Sequence, residues 1–234
     1  MIQEKIKGLL DMKIQEVCRH QNYIIRKLLH VGCGMKSKSQ TTRGFNSPDW
    51  KETRYDIDPS VNPDIKGSMI DMYKVKDSSF DAIYSSHNIE HLYPHEVNLA
   101  VTEFKRVLDT EGFVVLTCPD LQSVGALIAD DRLEDVAYSS PAGPITPLDI
   151  VYGHRPSIEK GNHFMAHKCG FTQKTLRAAF KNAGFKSLAS VRRGDPFFDL
   201  WVIASKSVRD RANLIALAQA HFPIESKSKN NGIK

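Results

Sequence analysis

Short apolar runs that end at glycine or at an acidic residue alternate along the chain with stretches long enough to form helices. Runs predicted to be strands lie at 27–32, 54–57, 81–85 and 113–118. Between the last two, apolar residues from Val97 to Leu108 recur at the three- and four-residue spacing of an amphipathic helix. Strands joined by helix-length crossovers form a parallel sheet, and ligands bind at the carboxyl ends of its strands. The alternation therefore predicts an α/β fold.

Glycines and capping residues predict where the other elements begin and end. We expect Gly112 to turn the chain out of the helix that precedes it. A second helix is predicted to begin at Thr172, its N-cap, and to stop at Gly184. Two closing strands are predicted at 185–191 and 199–204.

The chain is predicted to be one domain with a short extension. Its 234 residues, 41% hydrophobic and 25% charged, have the balance of a single globular domain. The domain is predicted to cover residues 1–204 and to be followed by a basic C-terminal helix and frayed tail at 205–234. Within the domain, we predict an amphipathic helix at 2–19 and an irregular lid or substrate insertion at 121–170.

Charge, cysteines and hydropathy restrict the partners and the compartment. Of the net charge of +5, residues 205–234 carry +4, so the body lacks the basic stripe that nucleic-acid binding requires. The four cysteines are scattered and are predicted to be free thiols. No apolar run reaches the roughly 18 residues of a membrane helix, and the N-terminus lacks the pattern of a signal peptide. We therefore expect a cytoplasmic protein that binds neither membranes nor nucleic acid.

A pair of glycines follows the first predicted strand. Gly32, Cys33 and Gly34 let the backbone turn tightly and approach a ligand, although ordinary strand-exit turns share this pattern. Asp56 ends the second strand 22 residues after Gly34, where a carboxylate can accept two hydrogen bonds from a ribose diol. Dinucleotide sites require a third glycine, and Ser37 stands at that position. A cofactor with a ribose but no pyrophosphate fits better, which favours S-adenosylmethionine.

Four segments carry motifs in an order that resembles a known family. They are Leu29–Gly34, Tyr55–Asp58, Ser79–Leu92, and Phe104–Leu108 with Gly112 and Phe113. Together they resemble the class I S-adenosylmethionine-dependent methyltransferases, and most of all the small-molecule methyltransferase type 11 branch. The resemblance covers residues 27–120 and, more loosely, 170–172 and 183–185. It implies a Rossmann-like, doubly wound, mostly parallel seven-stranded sheet with a C-terminal antiparallel strand, and an enzyme that uses S-adenosylmethionine.

The resemblance also implies roles for individual residues. The cofactor would be held by Gly32, Cys33 and Gly34 at its methionine part, Asp56 at the ribose, Ile57, Met69 and Ile70 at the adenine, and Ser86 beside the sulfur. Met69 stands where the family usually has an acidic or amide residue, so backbone groups of Met69 and Ile70 are expected to contact the adenine. His87 would border the sulfur and the acceptor.

A hydroxyl acceptor must lose a proton, and histidine suits the role of general base because its reference pKa is about 6.5. The candidates are His163, His87 and His154, followed by His91, His167 and Asp120. Pocket lining is the alternative role for His87, and capping is the alternative for Asp120. Arg155 is a candidate clamp for an anionic acceptor. The spacing of His163 and His167 permits metal binding on a helix, but Phe164 stands where zinc hydrolases have glutamate, so no metal is predicted.

The leading functional hypothesis is methyl transfer from S-adenosylmethionine to a small-molecule or carbohydrate-like acceptor, with oxygen as the methylated atom. The alternatives are an RNA methyltransferase that uses the basic tail, a nicotinamide-dependent oxidoreductase and a non-catalytic Rossmann-like cofactor-binding module. The segment Ser85–Asn88 lacks the N-P-P-Y type sequence of amino-group nucleic-acid methylases, which disfavours the RNA methyltransferase. Ser37, in place of the third glycine, disfavours the nicotinamide-dependent oxidoreductase. We expect a monomer or a homodimer.

Overall fold

The computed structural model describes residues 24–223, so the predicted helix at 2–19 and the end of the tail lie outside the described residues. The strands in this range are β1 Arg26–Val31, β2 Trp50–Asp56, β3 Ile65–Lys66, β4 Phe80–Ser86, β5 Leu108–Pro119, β6 Tyr138–Ser140, β7 Gly143–Ile145, β8 Ser187–Arg193 and β9 Asp199–Ser205. Seven of them form one sheet in the order β3-β2-β1-β4-β5-β9-β8. Strands β1 to β5 run parallel, and β9 is antiparallel to both β5 and β8. The predicted Rossmann-like, mostly parallel seven-stranded sheet with an antiparallel strand near its C-terminal end is confirmed.

Helices cover both faces of this sheet. The α-helices in the described range are α1 Val97–Val107, α2 Leu121–Ala129, α3 Pro147–Tyr152, α4 Arg155–Glu159, α5 Gln173–Asn182 and α6 Arg211–His221. Short 3-10 helices lie at Lys38–Gln40, Pro59–Val61, Ile89–His91 and His163–Met165. Phe104 of α1 and Phe180 of α5 are fully buried against one face. Among residues 24–223, no helix has both the length and the apolar character needed to cross a membrane.

The predicted ends of α5 are confirmed, whereas the predicted end of α1 is wrong. Thr172 caps α5 by accepting a hydrogen bond from the Thr175 N–H, and Gly184 ends it with a φ of +85°. Helix α1 instead ends at Val107, and Gly112 lies inside β5. The reason is that the buried Leu108 leaves the helix in an extended conformation and pairs with β4 before the chain reaches the glycine.

The sheet face opposite α1 carries an aromatic cluster that α6 closes. Phe45, Trp50 and Phe113 form this cluster, and apolar residues of α6 contact it. His221, the last residue of α6, is buried beside them, and its Nδ1 lies 2.6 Å from the Thr42 hydroxyl. Burial lowers the pKa of this imidazole to about 4. The C-terminal helix is therefore part of the core of the domain.

Residues 121–170 contain regular structure where the sequence predicts an irregular stretch. Helices α2, α3 and α4 and the β6–β7 hairpin lie in this segment. Val124, Ile145 and Ile150 bury a small apolar cluster together with Phe198. The expectation of irregular structure was wrong because elements of three to nine residues are too short to display a full hydrophobic period. The role of this segment as a lid stays a prediction.

Candidate active site

A cavity of about 430 Å³ opens at the carboxyl ends of β1, β2 and β4. This is the edge of a parallel sheet at which ligands bind. The residues that line it include Gly32, Gly34, Asp56, Ile57, Met69, Ile70, His87, His91, Glu96, Asn162, Phe164, Met165 and Lys168. Six of the predicted cofactor-binding residues therefore share one cavity, whereas Cys33 and Ser86 are not among its walls.

The loop after β1 turns through two glycines in left-handed conformations. The φ angles of Gly32 and Gly34 are +64° and +51°. The Gly32 N–H donates to the Tyr55 carbonyl at 2.8 Å, which ties the loop to β2. Cys33, between the two glycines, is buried, and burial raises the pKa of its thiol to about 11. Cys33 therefore supports the loop as a neutral group.

No α-helix follows this glycine loop within residues 35–49, where the 3-10 helix Lys38–Gln40 is the only helical turn. Dinucleotide-binding folds place a helix N-terminus at this point to hold the pyrophosphate. Its absence from the described residues agrees with a cofactor that has a ribose but no pyrophosphate.

Asn88, just after the end of β4, stabilises the glycine loop, and no sequence motif indicated this role. Its amide nitrogen lies within 3.3 Å of the carbonyl oxygens of Val31, Gly32 and Ser86. A Cβ atom at Gly32 would stand 2.1 Å from the Asn88 amide oxygen. Gly32 is therefore required both for its conformation and for this close approach.

Asp56 ends β2 at the middle of the cavity. Its Oδ2 accepts a hydrogen bond from the Gly34 N–H at 2.8 Å, and its Oδ1 accepts one from the Asp58 N–H at 3.0 Å. The residue is 9% exposed, and this exposed part lines the cavity. Because each carboxylate oxygen has a further lone pair, Asp56 can still accept hydrogen bonds from a ribose diol. The residues at this position fit the predicted cofactor.

An apolar surface continues from Asp56 along the cavity. Ile57 is 45% exposed, and Met69 and Ile70 line the same region. The Tyr55 hydroxyl donates to the Ser68 carbonyl at 2.8 Å and fixes the loop that carries Met69 and Ile70. A planar aromatic base would bury the exposed part of Ile57, so this surface fits an adenine ring.

His87 lies at the other end of the cavity, directly after β4. Its backbone φ is +54°, and its side chain is 48% exposed. Nδ1 of His87 lies 3.4 Å from Oε1 of Glu90. Desolvation disfavours the charged imidazole, but the neighbouring Glu90 carboxylate outweighs it and raises the pKa of His87 above the usual value. The preceding residue, Ser86, instead contacts the Thr117 hydroxyl at 2.8 Å.

Glu90, His91 and His167 form a cluster behind His87, which we call the Glu90 cluster. One donor atom from each of the three side chains lies within 4.8 Å of the other two. Glu90 is 1% exposed, and neither of its carboxylate oxygens accepts a hydrogen bond from residues 24–223. Burial opposes ionisation of Glu90, but the imidazoles around it lower its pKa overall. Burial lowers the pKa of His167.

Two further base candidates, His163 and His154, do not line the cavity. His163 is exposed and begins a 3-10 helix whose next residues, Phe164 and Met165, do line it. The Nδ1 atom of His154 lies 2.7 Å from the Ser157 hydroxyl. Of the three histidines that the sequence put forward as catalytic, the structure places His87 in the cavity wall.

Asp120 and Arg155 have structural partners. Asp120 is fully buried, caps α2 and forms an ion pair with Arg192 at 2.9 Å. The guanidinium of Arg155 binds the Asp149 carboxylate at 2.9 Å and lines no part of the cavity. The role of Arg155 as a clamp for an anionic acceptor stays a prediction, and the sequence could not show its ion pair with Asp149.

Comparison with known proteins shows what the sequence and the fold are similar to. Residues 29–116 match a family model described as a methyltransferase domain. The matched segment contains the glycine loop, Asp56 and the residues that follow β4. No curated protein matches the chain.

Solved structures share the fold at low sequence identity. A protein from Pyrococcus horikoshii has a TM-score of 0.53 at 13% identity, over 86% of this chain and 91% of that one. A SAM-dependent methyltransferase from Methanosarcina mazei has a TM-score of 0.52 at 17% identity, over 80% and 96%. The 1,6-didemethyltoxoflavin-N1-methyltransferase of Burkholderia thailandensis, with bound S-adenosylhomocysteine, has a TM-score of 0.50 at 14% identity, over 78% and 72%. These likenesses establish the fold. Residues 29–116 are thus similar in sequence to a methyltransferase domain, and the chain shares its fold with these solved structures.

Proposed function

We propose that the chain is an S-adenosylmethionine-dependent methyltransferase and that it methylates a hydroxyl group of a small, carbohydrate-like acceptor. The observation that carries this proposal is that one cavity has two chemically different ends. The end beside Asp56 and Ile57 fits a ribose and an adenine, and the end beside His87 presents an imidazole to a second ligand.

The roles proposed for the cofactor end follow from the contacts described above. The Asp56 carboxylate binds the ribose hydroxyls while its bond to the Gly34 N–H holds the glycine loop in place. The loop leaves its backbone bare of side chains at Gly32 and Gly34, so the methionine part of the cofactor can approach closely. Ile57 and Met69 cover the adenine.

The acceptor end combines apolar and polar groups. Phe164 and Met165 supply an apolar surface against which a sugar ring can lie, and Glu96, Asn162 and Lys168 supply hydrogen-bonding groups. The cavity volume of about 430 Å³ is near the lower end of the range for ligand pockets.

The proposed chemistry is an in-line displacement. When bound, the cofactor supplies a methyl group on a positively charged sulfur. The acceptor oxygen forms the new C–O bond as the C–S bond breaks, and the electron pair of that bond goes to the sulfur. His87 accepts the hydroxyl proton, and the cavity walls position the acceptor and exclude water.

Calorimetric titration with S-adenosylhomocysteine tests the cofactor end. In Asp56→Asn, the amide oxygen can still accept from the Gly34 N–H, but the charge is lost. We expect the binding free energy to weaken by about 1.5–3 kcal/mol, which is roughly 10- to 150-fold in affinity. Asp58→Asn is the comparison variant, because Asp58 is the other carboxylate of this part of the cavity wall and also caps the 3-10 helix Pro59–Val61. Unchanged affinity in Asp56→Asn, or a larger loss in Asp58→Asn, would contradict the ribose assignment.

Transfer of a labelled methyl group tests the acceptor. The enzyme is incubated with labelled S-adenosylmethionine and separate sets of sugars, phenols, amines and RNA. Label that appears as an acid-stable ether on a sugar supports the proposal. Label confined to nitrogen, carbon or RNA overturns the assignment of the acceptor and leaves the cofactor assignment standing.

A further inference from the structure

The Glu90 cluster lies against the acceptor end of the cavity, where Glu90 neighbours the proposed base His87, and its two histidines have no role in the chemistry proposed above. A buried carboxylate without hydrogen bonds is costly unless a cation compensates it. His87 lies 3.4 Å from one oxygen, Oε1. Among the described residues, the other oxygen has no partner in the protein, although Glu90 is 1% exposed. The cluster therefore lacks positive charge on one side.

The two imidazoles of the cluster each have a hydrogen bond of the kind that metal-bound histidines make. Nδ1 of His91 lies 3.1 Å from the Ala166 carbonyl oxygen, and Nδ1 of His167 lies 2.8 Å from the Ile150 carbonyl oxygen. A carbonyl oxygen can only accept, so Nδ1 carries a proton in each ring, and in the neutral imidazole Nε2 keeps its lone pair. Backbone carbonyls fix the tautomer of metal-bound histidines in this way.

We propose that Glu90, His91 and His167 bind one divalent transition-metal ion, for which Zn²⁺ is the best match. Two imidazoles and one carboxylate are a donor set that zinc uses in catalytic sites, with a further position left open. Mg²⁺ and Ca²⁺ prefer sites made of oxygen donors. The donor atoms, which lie within 4.8 Å of one another, must close to roughly 3.3 Å around an ion with metal–ligand distances of about 2.0–2.2 Å.

An ion held by the Glu90 cluster would lie beside the cavity wall. His91 belongs both to the cluster and to the cavity wall. On the basis of the proposed function, an ion at this place puts positive charge beside the acceptor hydroxyl and lowers its pKa, as metal ions do for bound water. This makes the metal site a binding site for the acceptor oxygen.

Metal titration of the full-length protein tests the proposal without any need for an acceptor. The protein is stripped with a chelator and titrated with ZnCl₂ in a calorimeter, and we expect one site per chain. Glu90→Gln and His167→Gln should each weaken Zn²⁺ binding by more than about tenfold. His95→Gln is the matched control, because His95 is exposed and lies outside both the cavity wall and the cluster. Its affinity for Zn²⁺ should equal that of the wild type.

Cobalt substitution gives a second readout that does not depend on the folding of a variant. Co²⁺ bound to the wild-type protein should show the intense visible absorption of a low-coordinate nitrogen and oxygen site, and Zn²⁺ should displace it. Absence of Zn²⁺ and Co²⁺ binding to the wild type overturns the proposal, as does wild-type affinity in both Glu90→Gln and His167→Gln. Affinity for S-adenosylhomocysteine, measured on the same samples, separates this outcome from failure of the proposed function.

Discussion

The buried imidazole of His221 makes the stability of the protein sensitive to acid. Its ring lies 4.2 Å from Phe45 and 5.4 Å from Phe113 between ring centroids, and burial holds its pKa at about 4, against an ordinary value of 6.5. The folded protein therefore binds this proton more weakly than the unfolded chain does. The stability that depends on the neutral ring is complete above pH 6.5 and is lost as the pH falls toward 4.

The difference between the pKa values of His221 in the folded and unfolded states determines how much stability is lost in acid. A tenfold difference in proton affinity corresponds to about 1.4 kcal/mol, so full protonation of His221 removes roughly 3 kcal/mol from the free energy of unfolding. Between about pH 7.5 and about pH 5, the same relation gives a loss of about 2 kcal/mol.

Urea unfolding at these two pH values, with His221→Leu beside the wild type, measures the effect. The leucine variant has no group to protonate at this position, so its stability should fall by about 2 kcal/mol less than that of the wild type. His95→Leu, the same change at an exposed histidine, should follow the wild type. The same pH dependence in His221→Leu and in the wild type would refute the reasoning.

Three further substitutions test the active site and its support. Gly32→Ala should weaken S-adenosylhomocysteine binding at least about tenfold in calorimetry, because its Cβ would overlap Asn88 at 2.1 Å; unchanged binding would show that the loop can shift. His87→Gln should lower turnover by roughly 100-fold with little change in cofactor affinity. A normal turnover rate in His87→Gln, together with a reduced rate in His163→Gln, would assign the role of base to His163. Asp120→Asn should lower the free energy of unfolding by about 2 kcal/mol through its ion pair with Arg192, and unchanged stability in urea would contradict this.

The parts of the fold that the sequence predicted are those that local patterns determine. Buried strands and the amphipathic helix α1 follow from hydrophobic periodicity, and the start of α5 follows from the cap at Thr172. The end of α1 was not predictable from Gly112, because the pairing of Leu108 with β4 decided it. The elements in 121–170 were not predictable because each is short and is stabilised by contacts with distant residues such as Phe198.

In the candidate site, too, some features could be predicted from local sequence patterns and others could not. The glycine loop and Asp56 could be found because each directly follows a strand, and parallel strands bring their carboxyl ends together. The bond between Asn88 and the glycine loop joins residues 56 positions apart, and no spacing rule indicates it. The proximity of His167 to Glu90 likewise depends on the path of the insertion. From the sequence, the spacing paired His167 only with His163 and predicted no metal, and it could not indicate that His167 lies beside Glu90.

The hydrogen bonds of Asn88 limit how this enzyme can be redesigned. Asn88 holds the glycine loop, and its neighbours His87 and His91 face the acceptor end of the cavity. A library that randomises this short segment to obtain a new acceptor would also disturb the cofactor site, so most of its members would be inactive for a reason unrelated to the acceptor. The cavity-lining residues Asn162, Phe164, Met165 and Lys168 approach the same end from a different loop, and directed evolution of acceptor choice should begin with them.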